Sequence, residues 1–482
     1  MIDFRPVLAI LGSILCLLAA AMVLPAAVDA MAGDGEWQVF AACSGLTLFV
    51  GLAMLLGARS GVGELAVRQV YLAATCGLVI PVVFAALPLA FGPLQLSMTD
   101  AVFEATSGLT TTSATVLSGL DALPRGLLLW RAVLQWLGGI GVVVLAVTVL
   151  PALSMGGMQV FRIESAAASD RAAPRSSRVG SAIVALYAGV TAVLAATLWL
   201  AGMGGFDAWT HAMTTISTGG FSTGDASIGR FDSAAIEVVV TVGMILGGMP
   251  FLLFFHASQG NPRFMARDQQ LRWYLVVLLL ATTAVALWLA WSRGLPALDA
   301  LRHAALTVAS AMTGTGLFTL DFGGWDGLPL AILFFLVFVG GCAGSAAGGI
   351  KVFRFQFLFA NALVQMRRLL RPHAVLIPSF NRRPIPDDVL ESVMGFLFVY
   401  ALGFAVLALS LAFLGLDFMT AVSGAASAIA NFGQGLGGEI GPGGSYAALP
   451  GAAKWLLAAG MVFGRLELFT VLVLFVPAFW RQ

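Results

Sequence analysis

The sequence predicts an all-α integral membrane protein, and three observations support that prediction. Of the 482 residues, 59% are hydrophobic and only 10% are charged, whereas soluble globular chains carry roughly 25% charged residues. The apolar residues form long unbroken runs, such as 127–150 and 274–291, without the alternation of a transmembrane β-barrel. A short segment rich in Ser, Thr and Gly also recurs four times between such runs. In lipid, such a chain must satisfy its backbone hydrogen bonds internally, which favours helices.

Ten apolar segments have the length of membrane spans. They lie at 7–30, 38–57, 70–91, 127–152, 180–203, 233–256, 273–292, 328–370, 391–415 and 453–480. The segment 328–370 is too long for one crossing of a hydrocarbon core about 30 Å thick, so we expect an interruption in it. The alternative for the first segment is a cleaved signal peptide. Its apolar core exceeds the usual length of about 7–15 residues, which favours a retained helix.

Basic residues in the polar connections indicate the orientation of the chain. Three loops contain Arg162, Arg171, Arg175 and Arg178; Arg263, Arg267 and Arg272; and Arg367, Arg368, Arg371, Arg382 and Arg383. The alternate loops hold only Arg125, Arg230, Arg293, Arg302 and Lys454. By the positive-inside rule, the first set is cytoplasmic and the second faces outward. Both termini are then predicted to be cytoplasmic.

The four recurring segments share one pattern. Each has Ala, five residues, Ser or Thr, a small residue, four more residues, and then Gly or Ser. The matching residues are Ala101, Ser107, Gly108 and Ser113; Ala208, Thr214, Thr215 and Gly220; Ala304, Ser310, Ala311 and Gly316; and Ala421, Ser427, Ala428 and Gly433. This recurrence predicts a unit of about 100 residues, built from a helix, a re-entrant half-helix, a Gly-rich return and a second helix.

Returns of this kind point to conduction of a monovalent cation. Non-helical backbone at membrane depth is tolerated only where it is buried in protein or lines a water-filled cavity. The carbonyl end of each half-helix would point inward, where the helix dipole favours a cation. Four returns around one axis would then supply carbonyl oxygens in place of an ion's hydration shell. The alternative is ordinary tight loops, in which Gly merely permits a turn.

Eight strings of this sequence carry a family resemblance. Four are the returns: Leu-Thr-Thr-Thr-Ser-Ala-Thr-Val (109–116), Ser-Thr-Gly-Gly-Phe-Ser (217–222), Thr-Gly-Thr-Gly-Leu (313–317) and Asn-Phe-Gly-Gln-Gly-Leu-Gly (431–437). The other four lie at 130–141, 260–263, 341–351 and 464–470. Together they resemble the TrkH/TrkG potassium-uptake membrane subunits of the Trk/Ktr/HKT cation transporter superfamily, over nearly the whole chain.

The resemblance implies four pseudo-symmetric units around one pore, preceded by an N-terminal helix pair. We expect the helix pair at 1–64 and the units at 65–165, 179–262, 270–371 and 388–482. The resemblance also implies a homodimer in the bacterial inner membrane, with one pore in each protomer and a cytosolic nucleotide-binding ring of the TrkA type as regulator. The protein would be a transporter and not an enzyme. It would carry K⁺, by symport or by channel-like conduction, without a covalently bound cofactor.

The resemblance assigns the selectivity filter to the four returns. Its residues are Thr111, Thr112, Ser113, Thr218, Gly219, Gly220, Thr315, Gly316, Asn431, Phe432 and Gly433. Those expected to bind K⁺ are Thr112, Ser113, Gly219, Gly220, Thr315, Gly316, Phe432 and Gly433. Close relatives in the family have Gly where this chain has Ser113, and in plant HKT transporters a Ser at the matching place accompanies sodium preference.

The presence of Ser113 in place of Gly bears on ion selectivity. It favours K⁺ transport with a measurable Na⁺ leak, unless Ser113 keeps a glycine-like conformation with its hydroxyl turned away. A sodium-preferring or non-selective monovalent cation transporter of the same fold is the alternative.

The segment 328–370 is the first candidate for a gate. It contains Gly340, Gly341, Gly344, Gly348 and Gly349, followed at once by Lys351. Small residues at this spacing more often form a close helix-packing face. The resemblance instead implies an intramembrane loop beneath the filter, with Gly344, Ser345, Gly348, Gly349 and Lys351 as gate residues.

Arg465 is the second candidate for a gate. It lies 11 residues after Lys454 and 16 before Arg481, which places it in mid-membrane along a helix with a rise of about 1.5 Å per residue. An intramembrane charge is a functional candidate, and here it would raise the barrier to cations. The alternative is a structural contact with a buried carboxylate or with loop carbonyls. Glu467, two residues on, would face elsewhere.

Two other classes of protein fit the sequence less well. A secondary carrier with inverted repeats should have broken helices in opposite orientations, whereas all four returns enter from the outside. A membrane-embedded enzyme needs convergent acids or a metal cluster. The four cysteines and four histidines lack ligand spacing, and we interpret the cysteines as small core residues. Asp387 and Asp388 are adjacent and suit the start of a helix.

Overall fold

Helices form nearly all of the regular structure in the computed structural model. It describes residues 3–33, 36–58, 65–148, 156–157, 176–261, 263–325, 327–381, 383–436 and 439–481. Within these ranges, seven helices are long and apolar enough to cross a membrane, or up to nine if each sharply bent pair is one span. The chain is therefore an all-α, multi-span membrane protein, as predicted. Several predicted features lie outside the described residues: Arg162, Arg171, Arg175, Arg382, and the unit boundaries at 64 and 165.

Two long helices, Arg5–Ala32 and Trp37–Gly57, precede the repeated units. Their backbones approach closely because a glycine faces the partner helix on each side. A Cβ on Gly12 would lie 2.7 Å from the carbonyl oxygen of Gly51, and one on Gly51 would lie 2.9 Å from Cys16 Sγ. The pair is attached to the first unit through Asp29, whose carboxylate accepts a hydrogen bond from the amide of Gly126 (2.6 Å).

Four units follow in the described chain, and each contains a leading helix, a pore helix and a trailing helix. The leading helices are Val67–Phe91, Ser176–Leu200, Gln269–Ser292 and Asp387–Phe413. The pore helices, numbered 1 to 4, are Met98–Leu109, Gly205–Ile216, Ala297–Thr313 and Phe418–Ala430. The trailing helices are Arg125–Thr148, Ala234–Gly247, Leu328–Val339 and Gly451–Arg465.

Each pore helix begins beside an aspartate and is too short to cross the membrane. The aspartates are Asp100, Asp207, Asp299 and Asp417. A carboxylate at this end stabilises a helix by capping its free amides and by opposing its dipole, as when Asp417 accepts from the amide of Thr420 at 3.1 Å. The longest pore helix has 17 residues, or about 26 Å at 1.5 Å per residue.

The trailing helices of units 2, 3 and 4 are each followed by a break. The chain bends by 94° between Ala234–Gly247 and Phe251–Ser258, and by 104° between Gly451–Arg465 and Phe469–Phe475. In unit 3, residues 340–351 separate Leu328–Val339 from Val352–Leu370. The predicted interruption of 328–370 is therefore confirmed.

The apolar segment 233–256 is divided by a sharp bend, and the expectation of one continuous helix through Arg465 in 453–480 was wrong. In the first segment Pro250 lies at the break, and proline disfavours helical backbone in the residue before it. In the second segment Glu467 and Leu468 adopt left-handed backbone, with φ of 58° and 35°.

The remaining elements are short. They are the helices Arg263–Arg267 and Pro477–Trp480, the 3₁₀ turns Leu120–Ala122, Ser227–Phe231, Tyr446–Ala448 and Val473–Phe475, and a sheet of Ser379–Phe380 with Arg383–Pro384. One further sequence interpretation is confirmed, and the interpretation of the cysteines as small core residues is confirmed for two of the four. Asp387 and Asp388 lie in the first turn of the leading helix of unit 4. The cysteines are free, with Cys43 and Cys342 buried and the other two half-buried.

Gly138 shows how closely a trailing helix packs against the end of its pore helix. A Cβ at this position would collide with the backbone carbonyl of Leu109, the last residue of pore helix 1. Gly141 lies on the same trailing helix, but a Cβ there would meet no atom within 4 Å. The two positions therefore differ in packing, although they share the same helix.

We predict that Gly138→Ala destabilises the protein by about 1–3 kcal/mol, because backbone atoms must move to admit the added methyl group. Thermal melting of the detergent-purified protein measures the effect. Gly141→Ala is the matched control, which should melt at or above the native temperature because Ala favours a helix. Equal melting temperatures for both variants would contradict the packing assigned to Gly138.

Candidate functional site

The four pore helices end in the same hydrogen-bonded turn. In each, a backbone amide of the return donates to a carbonyl five residues earlier, as in the Schellman motif that closes many helices. The bonds join Thr112 N to Ser107 O (2.8 Å), Gly219 N to Thr214 O (2.8 Å), Thr315 N to Ser310 O (2.9 Å) and Phe432 N to Ser427 O (2.9 Å). The four returns that sequence analysis aligned therefore have one local structure.

The backbone angles repeat in the same way. Each return has two residues with positive φ, separated by one residue. The pairs are Thr111 and Ser113 (51° and 73°), Thr218 and Gly220 (52° and 78°), Gly314 and Gly316 (74° and 82°), and Asn431 and Gly433 (55° and 86°). Ser113 thus has the backbone conformation of the three glycines it matches. Left-handed backbone costs a residue with a Cβ about 1–2 kcal/mol, a strain that the surrounding contacts must offset.

The returns contact one another around a closed ring in the described chain. A Cβ on Gly220 would collide with the carbonyl oxygen of Thr315, and one on Gly433 with that of Thr112. A Cβ on Gly316 would lie 3.0 Å from the carbonyl oxygen of Phe432. Return 2 therefore touches return 3, return 3 touches return 4, and return 4 touches return 1. Ser113 Oγ of return 1, which lies 3.3 Å from the position of a Cβ on Gly220, closes the ring to return 2.

The Ser113 hydroxyl lies inside this ring. Its Oγ is 2.6 Å from the position of a Cβ on Gly316 and 3.3 Å from that of a Cβ on Gly220. The sequence analysis treated a glycine-like backbone and a hydroxyl directed into the ring as alternatives, and Ser113 has both. Its backbone is glycine-like, but its hydroxyl points toward the other returns.

Buried side chains hold the returns in place, and sequence analysis missed most of them. Three donate to return carbonyls: Gln135 to Gly219 (2.8 Å), Gln434 to Gly316, and Tyr446 to Gly433 (3.0 Å). Asn431, which was predicted, donates to Thr112 Oγ1 at 2.9 Å. One clue was available for Gln135, since a polar residue inside the apolar run 127–150 needs a buried partner.

Cavities of very different size lie next to the ring. One has a volume of about 280 Å³ and is lined by Ser113 and its three matching glycines. The other has only about 20 Å³ and is lined by residues that include Gly348, Gly349, Lys351 and Arg465. The smaller space can hold about one water molecule. Four predicted filter residues thus line the wide cavity, whereas predicted gate residues line the narrow one together with Asn431 of the filter.

The break in unit 3, residues 340–351, packs directly against the ends of other elements. The amide of Cys342 donates to the carbonyl of Gly248 (3.0 Å), at the break in unit 2. A Cβ on Gly348 would collide with the carbonyl of Ala430, the last residue of pore helix 4. Within the break, Ser345 Oγ donates to Cys342 O at 2.6 Å, and Gly344 has a φ of 75°.

Arg465 is the last residue of its trailing helix and reaches this same break. Its side chain is buried, and Nη1 donates to the carbonyl of Ala346 at 2.8 Å. Nε and Nη2 have no hydrogen-bond partner among the described residues. Lys351 Nζ likewise donates to a carbonyl, that of Ala347, at 2.9 Å. As expected, Glu467 does not pair with Arg465; it pairs with Arg354 at 2.5 Å.

These features define a class: a membrane transport protein with four re-entrant returns around one ring. Residues 48–482 match the TrkH family, described as a cation transport protein. The Trk system potassium uptake protein TrkI of Halomonas elongata is 40% identical over 481 residues, 99% of this chain and 97% of that protein. The protein TrkH of Escherichia coli K12 is 36% identical over 487 residues, 99% of this chain and 100% of its own.

A solved structure has the same fold. The potassium transporter TrkH from Vibrio parahaemolyticus aligns over 100% of both chains, with a TM-score of 0.92 and 35% sequence identity. The chain belongs to the TrkH family of cation transport proteins. It is accordingly a transporter and not an enzyme.

Proposed function

We propose that this chain is the ion-conducting membrane subunit of a potassium uptake system. The ring of four returns is the observation that carries the proposal. Carbonyl oxygens of Thr112, Thr315 and Phe432 each lie against the next return of the ring, and rings of carbonyl oxygens suit a K⁺ ion that has lost its hydration shell. The names of the similar proteins, all potassium uptake proteins or a potassium transporter, support K⁺ as the transported ion.

The selectivity filter in this proposal consists of the predicted return residues. The eight residues that bind K⁺ are Thr112, Ser113, Gly219, Gly220, Thr315, Gly316, Phe432 and Gly433, and Thr111, Thr218 and Asn431 shape the returns. Ser113 favours a second permeating ion, Na⁺, because its hydroxyl adds an oxygen inside the ring. Uptake of rubidium-86 and sodium-22 into proteoliposomes tests the proposal. Uptake of neither ion would contradict it.

We predict that Ser113→Gly raises the K⁺/Na⁺ permeability ratio about fivefold, a change of about 1 kcal/mol. The reason is that the variant removes the hydroxyl from the ring and also relieves the strain of a left-handed residue with a Cβ. The ratio is measured under identical ion gradients for the native chain and the variant. A ratio that does not rise would make Ser113 a neutral substitution and remove the argument for a sodium leak.

The proposed gate is the break 340–351 together with Arg465. Gly344, Ser345, Gly348, Gly349 and Lys351 form the loop side of the gate. The buried guanidinium supports this role because it is bonded to a loop carbonyl and has no carboxylate partner in the described chain. A positive charge beside a cavity of about 20 Å³ opposes the entry of a cation.

We predict that Arg465→Ala raises ion flux by roughly an order of magnitude, because it removes about 1–2 kcal/mol of charge repulsion from the pathway. Rubidium-86 uptake measures the flux, and size-exclusion chromatography checks that the protein remains intact. Arg465→Lys, which keeps the charge, is the matched control and should stay close to the native flux. If well-folded Arg465→Ala conducts no faster than the native chain, Arg465 has a structural role only.

We further propose that the chain forms a homodimer and docks a cytosolic nucleotide-binding ring of the TrkA type. Arg367 and Arg368 end the helix Val352–Leu370, and Arg371 follows them. All three are exposed, and beside them Leu369 and Leu370 are each 83% exposed. This end of the helix thus combines basic and apolar surface suited to a protein partner.

We predict that reversing the charges of Arg367, Arg368 and Arg371 to Glu abolishes co-purification with the ring protein of the same system, because three attractive contacts become repulsive. Reversal of Arg293, which lies at the end of another helix, is the control and should leave binding unchanged. Full binding by the triple variant would place the docking surface elsewhere.

A further inference from the structure

A fully buried ion pair lies next to returns 1 and 2. Neither of its residues belongs to the proposed filter or to the proposed gate. Glu104 is on pore helix 1 and Arg131 is on the trailing helix of the same unit, with Nε and Oε1 2.8 Å apart. The two side chains are 0% and 1% exposed. Burying two charges costs several kcal/mol each, and apolar residues of similar size often give equal or greater stability. Stability alone therefore does not account for the pair.

The carboxylate of Glu104 holds the chain just beyond Ser113. It accepts from Thr115 Oγ1 at 2.9 and 3.0 Å and from the amide of Val116 at 2.9 Å. These residues follow Ser113 by two and three positions. The path of return 1 as it leaves the ring is thus set by one buried carboxylate.

Arg131 extends these contacts to return 2. Its Nη2 donates to Thr115 Oγ1 (3.1 Å), and its Nη1 donates to the carbonyl of Ser222 (3.2 Å). The guanidinium also stacks on Phe221, 4.1 Å from the ring centre. Each of these bonds uses a different nitrogen of the guanidinium fork, an arrangement that a lysine cannot reproduce.

Gln135, one helical turn after Arg131, completes the contact with return 2. Its amide donates to the carbonyl of Gly219 (2.8 Å) and accepts from the amide of Phe221 (2.9 Å). The carbonyls of Gly316 and Gly433 likewise accept from uncharged side chains, Gln434 and Tyr446, and no charged side chain among the described residues bonds to returns 3 and 4. The charged contacts are therefore concentrated on returns 1 and 2, which include the one return that has a serine in place of glycine.

We propose that Glu104, Arg131 and Gln135 form a filter brace, a set of positioning residues that fixes returns 1 and 2 and thereby sets ion selectivity. The inference rests on the proposed function, since it names what holds the ion-binding residues in place. The brace residues act by holding the backbone of returns 1 and 2, which supplies the ion-binding groups. Loosening them allows the carbonyls of returns 1 and 2 to adjust to a smaller ion.

The test is the K⁺/Na⁺ permeability ratio in proteoliposomes of purified protein. Arg131→Lys keeps the charge but loses the fork, and Gln135→Leu changes no charge. The double variant E104Q/R131Q keeps the site neutral while removing the bonds of the ion pair. We expect each to lower the ratio about fivefold or more, the effect of losing one hydrogen bond of ordinary net strength. Melting temperature and monodispersity are measured alongside.

Asp100→Asn is the matched control. Asp100 lies on the same pore helix as Glu104 and forms an ion pair with Lys454 (2.5 Å), but it does not contact the returns. It should lower the melting temperature while leaving the permeability ratio unchanged.

The experiment distinguishes failure of the filter-brace proposal from failure of the proposed function. The native chain's own uptake of rubidium-86 reports on the proposed function, and only the ratio of variant to native reports on the brace. Native selectivity in well-folded Arg131→Lys and in Gln135→Leu would overturn the inference. Native selectivity in the double variant would also overturn it, because charge balance alone would then suffice. If one variant does not fold, the other two decide.

Discussion

Backbone groups at membrane depth that are not in a helix need hydrogen-bond partners from the protein, and the four returns depend on that requirement. The first amides of each return are satisfied by its own pore helix. Carbonyls further along take side-chain donors from other elements. These pairs are Gln135 with Gly219, Gln434 with Gly316, and Tyr446 with Gly433. The polar side chains in this apolar protein therefore gather around the returns, where water and lipid cannot supply the bonds.

The same requirement explains where the close glycine contacts fall. A Cβ on Gly138 would collide with the carbonyl of Leu109, one on Gly348 with that of Ala430, and one on Gly464 with that of Ile429. In each case a glycine of another segment lies against the carbonyl end of a pore helix. Such close packing excludes lipid from the last turn of these pore helices.

Buried basic residues fall into two groups, those that pair with a carboxylate and those that donate to backbone carbonyls. Arg131 and Arg354 pair with the carboxylates of Glu104 and Glu467, so their charge is balanced locally. Arg465 and Lys351 donate to backbone carbonyls of the break 340–351 instead. A cation held only by carbonyls keeps its net charge, which is costly within a membrane and is retained at functional positions. Basic side chains paired with carboxylates are therefore suited to structural support, whereas those bonded only to carbonyls are suited to repelling cations.

The sequence by itself determined the fold class and predicted the four units and the returns, because each of these depends on a local pattern. Apolar length marks a helix that spans the membrane, and the recurring Ala, Ser or Thr, and Gly positions mark a pore helix and its return. Tertiary structure decided what depends on distant partners. The Ser113 hydroxyl points into the ring because of where returns 2 and 3 lie. Glu104 meets Arg131, and Gln135 meets Gly219, across 27 and 84 positions of sequence. The sharp bend after Arg465 could not be predicted either, since the apolar run continues through it and left-handed backbone at Glu467 and Leu468 requires surrounding contacts to hold it.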